Sequence, residues 1–209
     1  MIDETQPLGV TNHEDISGLK QPQLTTRGAR NAAELENITR AYLKYVFKPT
    51  RKKIQGDWIT DKFIRDVHLN MFGDIWDWAG KYRTDSRNIG IDYHLIPEQI
   101  GVLCGDFKYW NSPHSSMPVL EVAARLQNRL TRIHPFANGN GRHARLITDI
   151  YLKSKNHRLP KWPQIQLMEQ GNRIRNQYIE AMKKADQENY APLIQFIDNF
   201  VGNEKEGTT

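Results

Sequence analysis

Residues 134–145 read HPFANGNGRHAR. The run gathers two imidazoles, two glycines flanking an asparagine, and two arginines three positions apart. Gly139 and Gly141 accept backbone conformations that other residues resist, and they leave their amides uncovered. The residues that follow place Leu146, Ile147, Ile150 and Tyr151 at helical spacing. A Gly-Asn-Gly turn therefore opens into a helix. A helix start carries N–H donors without intrahelical partners and a partial positive charge, and both attract anions. Arg142 and Arg145 add two guanidinium forks to its first turn. This chemistry is a phosphate cradle made by Gly139, Asn140, Gly141 and the two arginines, with His134 at its edge as a base of ordinary pKa near 6.5.

Each part alone is commonplace: a turn, a hydrogen-bonded histidine, a solvated arginine face. What raises them above that is convergence on one anion-sized spot. His143 is taken as a surface residue and Phe136 as the core contact that fixes the loop.

The elements that must hold this run are mostly helical. Val119, Leu120, Val122, Ala123, Leu126, Leu130 and Ile133 form a long apolar stripe, the pattern of a helix at the centre of a fold, and it delivers His134 at its C-terminal end. Earlier, a helix is expected from Asn31 to about Tyr45, ending before Pro49, and another from Thr60 to Met71 with Thr60 or Asp61 as cap. Thr84 to Leu95 mixes β-branched residues with glycine and stops at Pro97, which suggests a short β-hairpin. Helical spacing returns over Pro97–Trp110, then around Gln166–Asp186 and Ala191–Asn203. The fold class expected is all-α with one small hairpin before the motif.

At 209 residues the chain should form one domain. Residues 1–28 are expected to be an extended or partly disordered arm, and residues 29–209 a single helical domain with its core at about 59–201. The polar, early-acidic start does not resemble a secretory signal, and no apolar run approaches membrane-spanning length. Cys104 is the single cysteine; it excludes a disulfide within the chain, agrees with a cytoplasmic location, and is read as buried and inert. The net charge of +5 suits phosphate-bearing ligands. The basic residues are scattered, the densest groups being Arg51-Lys52-Lys53 and residues 153–161, so no nucleic-acid role and no membrane partner are expected.

The motif resembles the signature of the Fic/Doc family, HxFx[DE]GNGRxxR. His134, Phe136, Gly139, Asn140, Gly141, Arg142 and Arg145 match; Asn138 stands where the family carries an acid. The segment WAGKYRTDSRNIGIDYHLIP, Trp78 to Pro97, is similar to the one these proteins carry before the motif. The opening DETQPLG and the TTRG string resemble the subgroup called mobile mystery protein B. The resemblance implies a helical domain that moves AMP from ATP, its co-substrate, to a Ser, Thr or Tyr hydroxyl of a protein target. His134 would be the general base. The Gly139–Gly141 amides, Asn140 and Arg142 would neutralise the transferred phosphate, and Arg145 would hold an outer phosphate. The family acid ligates Mg²⁺; the Asn138 amide oxygen brings no charge, so metal binding there should be weakened. The hairpin would be a flap whose residues Asn88, Ile89, Gly90 and Ile91 pair with the target main chain.

The resemblance also implies an inhibitory helix of pattern [ST]xxxE[GN], matched at Glu36 and Asn37 with Ala32 in place of the hydroxyl, Glu36 pairing with Arg145. An antitoxin or regulator protein is a further implied partner, and oligomeric state stays open. Two alternatives remain: transfer of another phosphate-containing group, and a catalytically weak nucleotide-binding or toxin-like interaction module.

Overall fold

The computed structural model describes residues 16–48 and 58–202. The first fifteen residues of the expected arm and the Arg51–Lys53 cluster lie outside them. Among the described residues the chain is all-α, with eight helices: α1 Arg27–Tyr42, α2 Asp61–Phe72, α3 Ile96–Trp110, α4 Val119–Ile133, α5 Asn140–Ser154, α6 Gln164–Met168, α7 Arg173–Asp186 and α8 Ala191–Phe200. Extended pairing among the described residues is limited to isolated bridges, Leu19 with Trp76, Tyr82 with Phe136, and Pro160 with Val201.

The apolar stripe of α4 is the centre of the fold. Val122, Leu126, Leu130 and Ile133 are at most 2% exposed, and each contributes on the order of 1.5–3 kcal/mol of burial. One side of α4 packs on α5 and α3 within the main core; the other meets α7 and α8 through a second cluster built on Ala124, Tyr178, Leu193 and Ile197. Two amide nitrogens are paired at this second contact: Gln127 Nε2 donates to Tyr178 Oη at 2.9 Å, and Asn128 Nδ2 to Asp186 Oδ1 at 2.9 Å.

Local signals account for most boundaries. Thr60 caps α2 by accepting from Phe63 N at 3.1 Å, as its position before the apolar run suggests. Thr26 does the same for α1 through Ala29 N, so α1 starts four residues before the expected Asn31, and its last turn widens into a π-turn over Leu43–Phe47. Residues 16–26 are fastened to the turn after α2: Lys20 N donates to Ile75 O, and Asp77 N to Gly18 O. The single helix expected over Gln166–Asp186 is two. Gly171 at φ +79° breaks it, and Asn172 caps α7 by accepting from Ile174 N.

The expected hairpin over Thr84–Leu95 is not formed. Residues 84–92 carry no strand, and Tyr93–Leu95 is one turn of 3₁₀ helix begun by Asp92, whose Oδ1 accepts from His94 N. A side chain replaces the cross-strand ladder: the Arg83 guanidinium donates to Asp85 O and Ile91 O, one near each end of the segment. The segment is thus an irregular loop closed by an arginine.

Candidate active site

α4 and α5 hold the motif between them. α4 ends on His134, which adopts the left-handed conformation, φ 53° and ψ 58°, and turns the chain sharply. Phe136 then drops into the core. It is fully buried and stacks on His68 of α2 with ring centroids 3.7 Å apart, so its expected role of fixing the loop is met. Gly139 caps α5 at φ +78°, and a Cβ there would lie 2.5 Å from the Phe72 ring. Both the backbone angle and the close approach require glycine.

The remaining loop contacts are internal. Asn140, 3% exposed, accepts from Phe136 N at 2.9 Å and donates to Phe136 O at 2.8 Å. Its amide is committed to closing the loop, which differs from the anion contact expected of it. Asn138 Oδ1 accepts from Gly139 N at 2.6 Å, so an amide oxygen already sits on a donor of the cradle. His68 fixes the other side. Its Nδ1 accepts from Gly80 N, which makes Nε2 the protonated nitrogen that donates to Asn138 O at 3.0 Å.

His143, expected at the surface, is 1% exposed and bonds through Nε2 to Ile64 O at 2.9 Å. It lies on the face of α5 turned to α2, edge-on to Phe136. Burial pushes its pKa down to about 4.

His134 is half-buried, and its Nδ1 has no hydrogen-bond partner among the described residues. Burial pushes its pKa down to about 4; the Thr131 backbone opposes this, while the Arg83 and Arg87 charges lower it further. The imidazole is therefore neutral at pH 7, the form a base requires.

The two motif arginines have different fates. Arg142 lies over the Phe72 ring at 4.8 Å, and its Nη1 donates to Glu34 Oε2 at 2.5 Å. Glu34 is 5% exposed, and its Oε1 accepts from Trp76 Nε1 at 2.7 Å. Arg145, expected to meet an outer phosphate, is 5% exposed and donates to Gln164 Oε1 at 2.8 Å, with Tyr178 and Asp149 nearby. It ties the motif helix to α6 and α7.

The carboxylate that α1 brings to the motif is thus Glu34, not Glu36. The inward face of α1 carries Glu34, Asn37 and Ala41. Glu36, about 200° round the helix from Glu34, is exposed and does not pair with Arg145. Asn37 is buried and accepts from Arg40. A second contact holds α1 in place: Asp149 of α5, 1% exposed, accepts from Tyr42 Oη at 2.9 Å and from Trp162 Nε1 at 2.9 Å. Burial raises its pKa to about 7 against these bonds and the Arg145 charge. Cys104, expected to be buried, is half-buried, and burial lifts its thiol to about 11, which disfavours the thiolate near neutral pH.

The donor set does not suit a protein-held magnesium ion. Position 138 offers one neutral oxygen already bonded to Gly139 N, and no group of three or more His, Cys, Asp or Glu residues converges among the described residues.

The loop expected to be a flap lies against His134. Asn88 and Gly90 are exposed, and Ile89 and Ile91 half-buried. Gly90, at φ +97°, packs so closely that a Cβ would be 2.6 Å from His134 Cβ.

Comparison with known proteins agrees with this geometry. Residues 58–152 match the family model described as Fic/DOC family. The chain is 28% identical over 158 residues to the protein adenylyltransferase Fic of Drosophila virilis, covering 74% of this chain and 30% of that protein. It is 29% identical over 147 residues to the Drosophila mojavensis protein of the same name, covering 69% and 28%. The chain thus spans less than a third of these curated relatives' length. Among solved structures, Fic-1 of C. elegans superposes with a TM-score of 0.64 at 20% identity, over 88% of this chain and 52% of that one. The BepC protein of Bartonella tribocorum, solved with bound AMPPNP, superposes with a TM-score of 0.64 at 17% identity, over 88% and 92%. In its motif, its helical architecture and these matches, the chain is similar over residues 58–152 to the Fic/DOC family.

Proposed function

We propose that the chain is a protein adenylyltransferase that uses ATP as co-substrate and a protein hydroxyl as acceptor. The observation that carries this reading is the Glu34 carboxylate seated on Arg142 at the start of α5. A carboxylate oxygen held there by a guanidinium marks a position suited to a phosphate oxygen. In the reaction, neutral His134 takes the proton of an incoming Ser, Thr or Tyr hydroxyl as its oxygen bonds to the α-phosphorus. The bond from that phosphorus to the pyrophosphate oxygen breaks, and pyrophosphate leaves. Arg142 and the amides at the helix start stabilise charge on the transferred group. The names of the Drosophila relatives and the AMPPNP bound to the BepC protein support adenylyl transfer from ATP.

In this reading Glu34 competes with nucleotide for Arg142, so α1 is an inhibitory element. An antitoxin or regulator that shifted α1 would act as removal of Glu34 does. The loop over residues 84–92, beside His134, is where a target segment would dock. A cytoplasmic location fits the lone half-buried thiol, and no described helix is long and apolar enough to cross a membrane. A second reading, nucleotide binding with little turnover, is favoured by one observation: Asn138 covers Gly139 N with a neutral amide instead of supplying a carboxylate.

Incubation with ATP labelled at the α- or γ-phosphate separates these readings. Label transferred to protein from the α-position alone, and lost in His134→Ala, supports adenylylation. Transfer from γ means phosphorylation, and binding without transfer favours the second reading.

A further inference from the structure

Arg83 is a charged loop residue that is 4% exposed. Its guanidinium meets main-chain carbonyls. Nε donates to His134 O at 2.7 Å, Nη1 to Asp85 O at 2.7 Å and Nη2 to Ile91 O at 2.5 Å, with Ile133 O at 3.5 Å from Nη2. Its own N–H donates to Pro135 O at 2.9 Å. One residue therefore holds the backbone at 133, 134 and 135 together with both ends of the 85–91 loop.

Two features make this more than a helix cap. The last carbonyls of a helix have no intrahelical donor and carry partial negative charge, so a guanidinium is a natural partner for them. An ordinary cap, however, would not reach across to a second segment. Here the same fork fixes the left-handed His134, a conformation L residues avoid, and the loop that touches it. Gly90 brings that loop onto His134 from the other side, with a Cβ at that position only 2.9 Å from Arg83 Nη2. The loop and the base cannot move independently while this fork is in place.

We infer that Arg83 is a positioning residue that sets the His134 imidazole and holds the 84–92 loop in register with it, so that a hydroxyl presented along the loop meets the base. This rests on the hydroxyl-transfer reading above. Arg83 makes no contact with the Gly139–Arg142 cradle in this arrangement, so its loss should affect the transfer step and spare nucleotide binding.

The test uses the full chain with Arg83→Met, Arg83→Lys and Gly90→Ala. Arg83→Met should lower the rate of AMP transfer at saturating ATP by about 10²-fold while ATP affinity changes by less than about twofold. Lysine keeps the charge but not the fork, so Arg83→Lys should recover no more than a small part of the rate. Gly90→Ala, which keeps the Arg83 side chain but crowds its Nη2 and the His134 Cβ, should show the same loss in rate and the same unchanged affinity. The His134 Cε1–H resonance should shift, and hydrogen exchange should rise across residues 84–92, in both Arg83 variants. Native transfer rates in Arg83→Met, or ATP affinity falling in step with rate, would overturn the inference. If the native chain itself transfers nothing, the transfer reading fails, yet the resonance and exchange data still decide Arg83: an unmoved His134 signal with native exchange refutes it. If Arg83→Met does not fold, the rates and affinities of Gly90→Ala and Arg83→Lys decide the role of Arg83 in its place, native rates in both refuting it.

Discussion

Replacing Glu34 with glutamine removes the charge from the Arg142 contact with little change in shape. The glutamine oxygen can still accept from Trp76 Nε1, now at 2.7 Å, but its NH₂ group cannot accept from Arg142. The Tyr42–Asp149 bond keeps α1 docked. A hydrogen bond between charged groups is worth about 1.5–3 kcal/mol, which corresponds to roughly 10- to 150-fold in an equilibrium constant. ATP binding that must displace Glu34 works against that amount, so Glu34→Gln should tighten ATP by about 10- to 100-fold. The stability loss should stay below the ~3–5 kcal/mol of a fully buried broken pair, because the Arg142 side chain keeps 17% of its exposure and can be hydrated. Calorimetric titration with ATP, beside a thermal melt, measures both. Glu36→Gln is the control, since Glu36 is exposed and should change neither. Native ATP affinity in Glu34→Gln, or an equal gain in Glu36→Gln, would refute the competition argument.

Other outcomes follow from the same geometry. His134→Ala should lower transfer by about 10²- to 10⁴-fold and leave the calorimetric ATP affinity close to native, because in the proposed reaction the imidazole acts on the hydroxyl and holds no phosphate. Asn138→Asp keeps an oxygen for Gly139 N and adds a charge, so magnesium titration of the transfer rate should show tighter metal dependence than the native chain. Stability should depend on pH with contributions of two signs, one from the histidines His68, His134 and His143, whose pKa values burial lowers, and one from Asp149. His143 is held at about 4 when folded and returns to about 6.5 when unfolded, so its contribution is complete above pH 6.5 and lost as pH falls towards 4, about 2 kcal/mol of it by pH 5. Asp149 works the other way: its pKa rises from 3.8 to about 7 on folding, so acidification through that window stabilises the fold there. Asp149→Asn removes the opposing contribution, and its melting temperature should fall more steeply than native between pH 7 and 5; a shallower fall would contradict the assignment.

The central helices were legible because their signals are local. The α4 stripe has one apolar face, Thr60 and Gly139 stand where a cap or a left-handed turn is needed, and the position of His134 at the end of that stripe follows from them. What stayed hidden depends on partners distant in sequence. His143 and Arg145 look like the polar surface of a helix; they are buried because α5 is enclosed by α2, α6 and α7, which supply Ile64 O, Gln164 and Tyr178. The inhibitory pattern pointed to Glu36, but the way α1 packs against α2 and is tied to α5 by Tyr42 and Asp149, 107 residues apart, decides which carboxylate faces Arg142. The hairpin expectation rested on β-branched residues and a glycine, and could not register that Arg83 would occupy the carbonyls at both ends of the segment. A buried arginine within an Arg- and Asp-rich stretch carries no periodic signal.

The most direct test of adenylyl transfer is the intact mass of three proteins after incubation with ATP: the native chain, Glu34→Gln and His134→Ala, each with a hydroxyl-bearing target or its own chain as acceptor. The account predicts added AMP on the native preparation, more on Glu34→Gln, and none on His134→Ala. Added phosphate in place of AMP, or AMP added equally to His134→Ala, would contradict it.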